Sequence, residues 1–142
     1  METTPRGSSS ANAFRVYERT NNNHGPIQVV EMSCLTPGQT YQFEFDYFIE
    51  TDEGSPLSCV VNTSDPMNRC VDVAIKLANE NWREWVLLRN DSGDPMVPGE
   101  FTRYHASFQV TEKMTEAESV EFFMSGPRPG AAIVFDNVRL YA

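Results

Sequence analysis

LTPGQTYQFEFDYFI, residues 35–49, decides the fold. The run opens on Thr36-Pro37-Gly38-Gln39. Proline sets φ to about −65° at the second position of a turn, and glycine accepts positive φ at the third. Beyond the turn, Tyr41, Phe43, Phe45, Tyr47 and Ile49 alternate with Gln42, Glu44, Asp46 and Phe48. Period two with aromatic residues on one parity is the pattern of a half-buried strand. A helix would scatter those rings around its circumference. The predicted strand puts its aromatic parity into a core. It turns Glu44, Asp46 and Phe48 the other way, toward solvent or a ligand.

The same pattern recurs on both sides of this run. Residues 14–19 and 27–32 read as strands before it, the first with Phe14 and Val16 inward and Arg15, Tyr17 and Arg19 on the other face. Residues 57–61 read as a short strand. In residues 70–77, Val71, Val73, Ile75 and Leu77 point inward. Residues 82–89 form a strand in which Trp82 and Trp85 have opposite parity, so one of them faces outward. Residues 101–110 follow, with Phe108 and Val110 inward, then a polar loop over 111–118 with room for one helical turn. Val120, Phe122 and Met124 alternate with Glu121, Phe123 and Ser125, and residues 132–141 form the last strand. Turns rich in Gly, Pro and Asn separate the strands, and no segment has sustained helical period. This is an all-β chain, an antiparallel β-sandwich of the jelly-roll kind. Residues 13–142 make one domain, and the apolar-poor residues 1–12 read as a tail or linker.

The chain has 142 residues and a formal net charge of −9. That charge argues against nucleic acid and anionic membrane as partners. It leaves carboxylates for calcium, for sugar hydroxyls or simply for solubility. No apolar run reaches the roughly 18 residues of a membrane span, and residues 1–13 show no signal peptide. Two glycosylation sequons, Asn62-Thr63-Ser64 and Asn90-Asp91-Ser92, lie in loop-like stretches and fit a secreted domain. Of three cysteines, Cys59 and Cys70 bracket a short loop. A disulfide there would contribute about 2–3 kcal/mol through chain entropy; the pair also reads as two free thiols. Cys34 is left over, as a buried thiol or as half of a bridge to a segment not in this chain.

Motifs for catalysis are scarce. There is no GxSxG, no P-loop and no dinucleotide fingerprint. Two histidines, His24 and His105, are too few for a histidine metal cluster. A glycosidase needs two carboxylates about 5–10 Å apart, which twenty acidic residues would meet by chance. Asp136, near the start of the last strand, reads either as a calcium ligand or as an acceptor for turn amides. Sugar binding uses aromatic faces flanked by polar side chains. Phe48 with Glu44 and Asp46, Phe123 with Glu121 and Ser125, and Tyr17 with Arg19 each offer that mixture on an outward parity. Taken together they read as one binding surface across neighbouring strands; taken singly, each also reads as structural packing.

The runs FRVYERT, HGPIQ and LTPGQTYQFEFDY, followed by FTRYHASFQV, VEFFMSGP and IVFDNVRL, resemble the jelly-roll carbohydrate-binding modules of families 4, 9 and 22. The likeness extends from Phe14 to Leu140. It implies a galactose-binding-domain-like sandwich that holds polysaccharide in a groove on one sheet, with a structural calcium at Asp136. It places Arg19 at the sugar site. It aligns Asp46 with a tryptophan, and Ser125 with a glutamate, of xylan-binding relatives, leaving Phe48 and Phe123 as replacement platforms. It also aligns no counterpart to an opening Gly-Phe-Glu strand, which implies either a fragment of a longer protein or a copy that has lost its first strand. The expected function is a non-catalytic, monomeric, secreted module that binds a glucan or xylan and is appended to a glycoside hydrolase. An adhesion module with a protein ligand is the alternative, and a glycosidase the third.

Overall fold

A computed structural model describes residues 2–4, 13–23 and 25–142, the first three by backbone alone. Among the described residues nine strands build two antiparallel sheets. They are β1 (Glu2–Thr4), β2 (Ala13–Val16), β3 (Ile27–Val29), β4 (Thr40–Thr51), β5 (Asp72–Ala78), β6 (Arg83–Leu88), β7 (Thr102–Gln109), β8 (Ser119–Ser125) and β9 (Ala131–Tyr141). One sheet runs β1-β2-β9-β4-β7 and the other β3-β8-β5-β6. Among the described residues no helix is long and apolar enough to cross a membrane.

The turn before β4 forms as its residues dictate. Gly38 takes φ +83° and the Gln39 amide donates to the Thr36 carbonyl at 3.1 Å. β4 then pairs with β7 on one side and β9 on the other, so it is central. Its aromatic parity is buried as expected. Phe43, Phe45, Tyr47 and Ile49 meet Val73, Ile75, Leu77, Val120, Phe122 and Met124 of the opposite sheet. Phe45 stacks on Tyr104 at 4.8 Å within its sheet, and Phe43 meets Phe122 at 5.0 Å across the sandwich. Removing such a ring costs about 3–5 kcal/mol. Tyr104 Oη donates to the Leu88 carbonyl at 2.7 Å, and burial pushes its phenol pKa up. Against β9 the pairing slips by a bulge between Glu44 and Asp46. Asn137, at φ +54°, takes the left-handed turn that asparagine tolerates there.

Several expectations need correction. Residues 1–12 are not all tail, because Glu2–Thr4 pairs with Ala13–Arg15 and adds an edge strand; residues 1 and 5–12 lie outside the described residues, as does His24. Phe14 is 43% exposed rather than core, although it stacks on Phe135 at 5.7 Å. The strand over 27–32 stops at Val29, and Met32–Cys34 forms a 3-10 turn instead. Residues 57–61 make only an isolated bridge, Val60 to Arg69. Cys34 is exposed, not buried. Cys59 and Cys70 are joined with their Cα atoms 5.0 Å apart. The helical turn is Glu112–Glu116, capped by the Thr111 hydroxyl accepting from the Met114 amide at 3.2 Å.

Candidate functional site

A sandwich has two outer faces, and the expected sugar-binding residues divide between them. With Phe43, Phe45 and Tyr47 in the core, Glu44, Asp46 and Phe48 project from the far side of the five-stranded sheet. With Phe122 and Met124 in the core, Glu121, Phe123 and Ser125 project from the far side of the four-stranded sheet. They do not form one surface.

On the five-stranded sheet nothing is free to receive a ligand at the expected positions. Phe48 is 4% exposed; Phe101 covers it edge-on at 4.9 Å, and Ala13 and Val134 complete the cluster. Asp46 accepts from Arg103 Nε at 2.7 Å and from Asn137 Nδ2 at 2.9 Å. Glu44 meets Arg139 at 3.0 Å, Arg103 at 3.4 Å and the Tyr141 hydroxyl at 3.2 Å. All four oxygens of this carboxylate pair are therefore committed. A glycosidase needs one carboxyl to protonate a leaving group and another to face water or the sugar, and this pair offers neither.

Arg19 has a structural task. Its guanidinium donates to the carbonyls of Pro127 at 2.9 Å, Ala131 at 2.9 Å, Arg128 at 3.2 Å and Asn22 at 3.2 Å. It ties the chain after β2 to the turn between β8 and β9. Burial lowers its pKa, opposed by the charge of Asp52.

The four-stranded sheet presents the open face. Trp85 on β6 is 53% exposed, and its ring lies 5.0 Å from that of Phe123 on β8. Lys76 of β5 holds its Nζ over the Trp85 ring at 5.6 Å. Leu87, Ile27 and Val29 are exposed beside them. Cross-strand registers set the rows: Ile27–Phe123–Ala74–Leu87, and Val29–Glu121–Lys76–Trp85. Trp82, of opposite parity, packs against the core, with Lys113 Nζ 4.9 Å from its ring. Sequence parity indicated that one tryptophan faces out; which one follows from the burial of Trp82.

A shallow depression lies at each end of the face. At one end a depression of about 410 Å³ is lined by Tyr17, Glu18, Arg19, Asn23, Ile27 and Phe123, so Tyr17, Arg19 and Phe123 do come together. The loop that builds it needs Gly25. A Cβ there would lie 1.6 Å from the Met124 carbonyl oxygen, so only glycine lets the loop press against β8. At the other end the loop closed by Cys59–Cys70 brings Asn62, Ser64 and Arg69 beside Asp72, Leu87 and Arg89. Ser125 sits opposite Asp72 in register at this end. Burial raises the Asp72 carboxyl pKa, opposed by the hydrogen bond and charge of Arg69, 2.9 Å away.

Asp136 carries one observation relevant to a cation. Its Oδ1 accepts from the Asn137 amide at 2.8 Å, and its Oδ2 is buried with no hydrogen-bond partner. Calcium takes 6–8 oxygens, yet among the described residues no three acidic, histidine or cysteine side chains converge. Side chains of the described residues alone do not make a calcium site, and main-chain oxygens would have to supply most of its ligands.

No protein-family model and no curated protein matches the chain. Solved structures do. The xylan-binding domain CBM22-1 of Paenibacillus barcinonensis Xyn10C superposes with a TM-score of 0.63 at 7% identity, over 99% of this chain and 78% of that one. The C-terminal family 22 module of Clostridium thermocellum Xyn10B gives 0.66 at 11% identity, covering 99% and 80%. A family 16 module gives 0.56 at 14% identity, covering 99% and 84%. The chain has the jelly-roll fold of carbohydrate-binding modules. At these identities the likeness is one of fold.

Proposed function

We propose that this chain is a non-catalytic module that binds polysaccharide on the outer face of its four-stranded sheet, within an extracellular protein. The observation that carries the reading is the exposed Trp85–Phe123 pair, set among polar side chains with a shallow depression at each end. Aromatic faces pack against the C–H groups of sugar rings, and Lys76, Glu121 and Ser125 stand within the same rows to take hydroxyls. The Cys59–Cys70 bond supports an oxidising compartment. The fold's occurrence in modules such as a xylan-binding domain supports a β-linked glucan or xylan as the ligand class. A glycoside hydrolase as the parent protein belongs to the same reading.

Affinity gel electrophoresis against laminarin, hydroxyethylcellulose, xylan and mannan tests it. Retardation by at least one, lost in Trp85→Ala and Phe123→Ala, is the expected result. No retardation of folded protein in any gel overturns the reading. One observation favours a second reading, a protein ligand: Ile27, Val29 and Leu87 are exposed aliphatic side chains of a kind common at protein interfaces. That reading predicts free migration in every polysaccharide gel.

A further inference from the structure

We infer that the ligand of this face is an anionic polysaccharide, one that carries carboxylate groups along its chain. The inference rests on the polysaccharide reading and names its charge class.

The chain has 20 acidic and 11 basic residues, so a cation without an acidic partner is scarce. Arg15 pairs with Glu50, Arg69 with Asp72, Arg103 with Glu44 and Asp46, Lys113 with Glu84, and Arg139 with Glu44. Arg19 is spent on backbone carbonyls, and Arg128 donates to that of Met67. Arg128 also lacks a carboxylate, but among the described residues only Lys76, Arg83 and Arg89 have neither a carboxylate in ion-pair reach nor a carbonyl acceptor. All three lie on one surface. Arg83, Trp85, Leu87 and Arg89 share a parity along β6 and its continuation, and Lys76 is the register partner of Trp85.

Chance placement would scatter unpaired cations over a surface dominated by carboxylates. Here they flank the exposed ring. At about 3.3 Å of rise per residue, Arg83 and Arg89 stand roughly 20 Å apart, with Trp85 and Leu87 between them. That is a row of positive charge, aromatic ring, apolar side chain and positive charge, with Lys76 beside the ring. The acidic residues of the face do not cancel it, since Asp72 is held by Arg69, only Glu121 stands in the Lys76 row, and Glu18 lies at the opposite, β3 side of the face from β6. An extended sugar chain along β6 would lay rings on Trp85 and Leu87 and place carboxylates against the cations. A neutral glycan gives these three side chains nothing that polar uncharged residues would not give. In a chain of net charge −9, the rest of the surface would repel an acidic polymer and favour this face alone.

The test uses the full chain in gels containing glucuronoxylan, arabinoxylan, polygalacturonate or poly-glutamate. The expected result is retention about five-fold tighter or more on glucuronoxylan than on arabinoxylan at low salt. That preference should fall toward unity at high salt. It should also fall toward unity in the Lys76→Gln/Arg83→Gln/Arg89→Gln variant, with its melting temperature unchanged. Equal retention on the two xylans, or retention by neutral polymers alone, overturns the charge assignment and leaves the polysaccharide reading standing. Retention on poly-glutamate equal to that on the acidic glycans overturns it as general ion exchange. No retention in any gel overturns both.

Discussion

The rings of Trp85 and Phe123 meet at 5.0 Å although their strands are not neighbours. β5 lies between them, and two strand spacings would separate the backbones by about 9.6 Å. The rings close that gap because Ala74 is the register partner of Phe123 on one side and of Leu87 on the other. Its methyl group is too small to hold them apart.

Replacing Ala74 by Leu therefore wedges the two rings apart. The position points away from the core and is only half-buried, so stability should change by less than about 1 kcal/mol. Polysaccharide retention should fall roughly ten-fold, equivalent to about 1.4 kcal/mol. Affinity electrophoresis beside thermal melting separates these effects. Unchanged retention would show that the rings act independently.

Phe48 should behave in the opposite way. It is buried under Phe101 on the far sheet, so Phe48→Ala should cost about 3–5 kcal/mol of stability and leave retention by folded protein unaltered. Trp85→Ala should leave stability within about 0.5 kcal/mol and abolish retention. Chemical denaturation of both variants, with electrophoresis below the transition, reads the contrast. Loss of retention in Phe48→Ala at full folding would move the site to the five-stranded sheet.

The contrast also shows which parts of the molecule could be read from sequence. Alternation is clear in β5 and β8 and runs through most of β4, and burying one parity of each strand leaves a single consistent core. Alternation assigns a residue to one of two faces of its strand but says nothing about the sheet to which the strand belongs. Asp46 and Phe123 thus looked alike, both outward, until pairing put β4 with β9 and β7, and β8 with β5. The backbone-tying task of Arg19 is illegible in the sequence for a related reason. Its acceptors near Pro127 are 108 or more residues away in the chain, and backbone carbonyls leave no mark in a sequence. The Trp82 and Trp85 parity was visible, and it pointed to the open face.

Calcium is a separate question, because one buried oxygen of Asp136 lacks a partner while no acidic cluster surrounds it. Adding millimolar calcium to chelator-treated protein should leave the melting temperature unchanged within error. A ligand specific to the folded state would raise it. A rise of about 4 °C or more, abolished in Asp136→Ala, would restore a calcium site at this strand.

Asp72 links stability to pH at the end of the open face. Burial raises its pKa above the ordinary 3.8, against the lowering effect of the Arg69 hydrogen bond and charge. The fold therefore holds a proton on this group more tightly than the unfolded chain does. Its contribution to stability is fully present below the ordinary carboxylate value and is lost as pH rises through the raised folded value. Asn at this position keeps the shape and does not titrate. The stability of the parent minus that of Asp72→Asn should decline as pH rises from about 4, measured by denaturation at fixed ionic strength. A difference that stays flat, or grows with pH, would mean that the Arg69 pair outweighs burial.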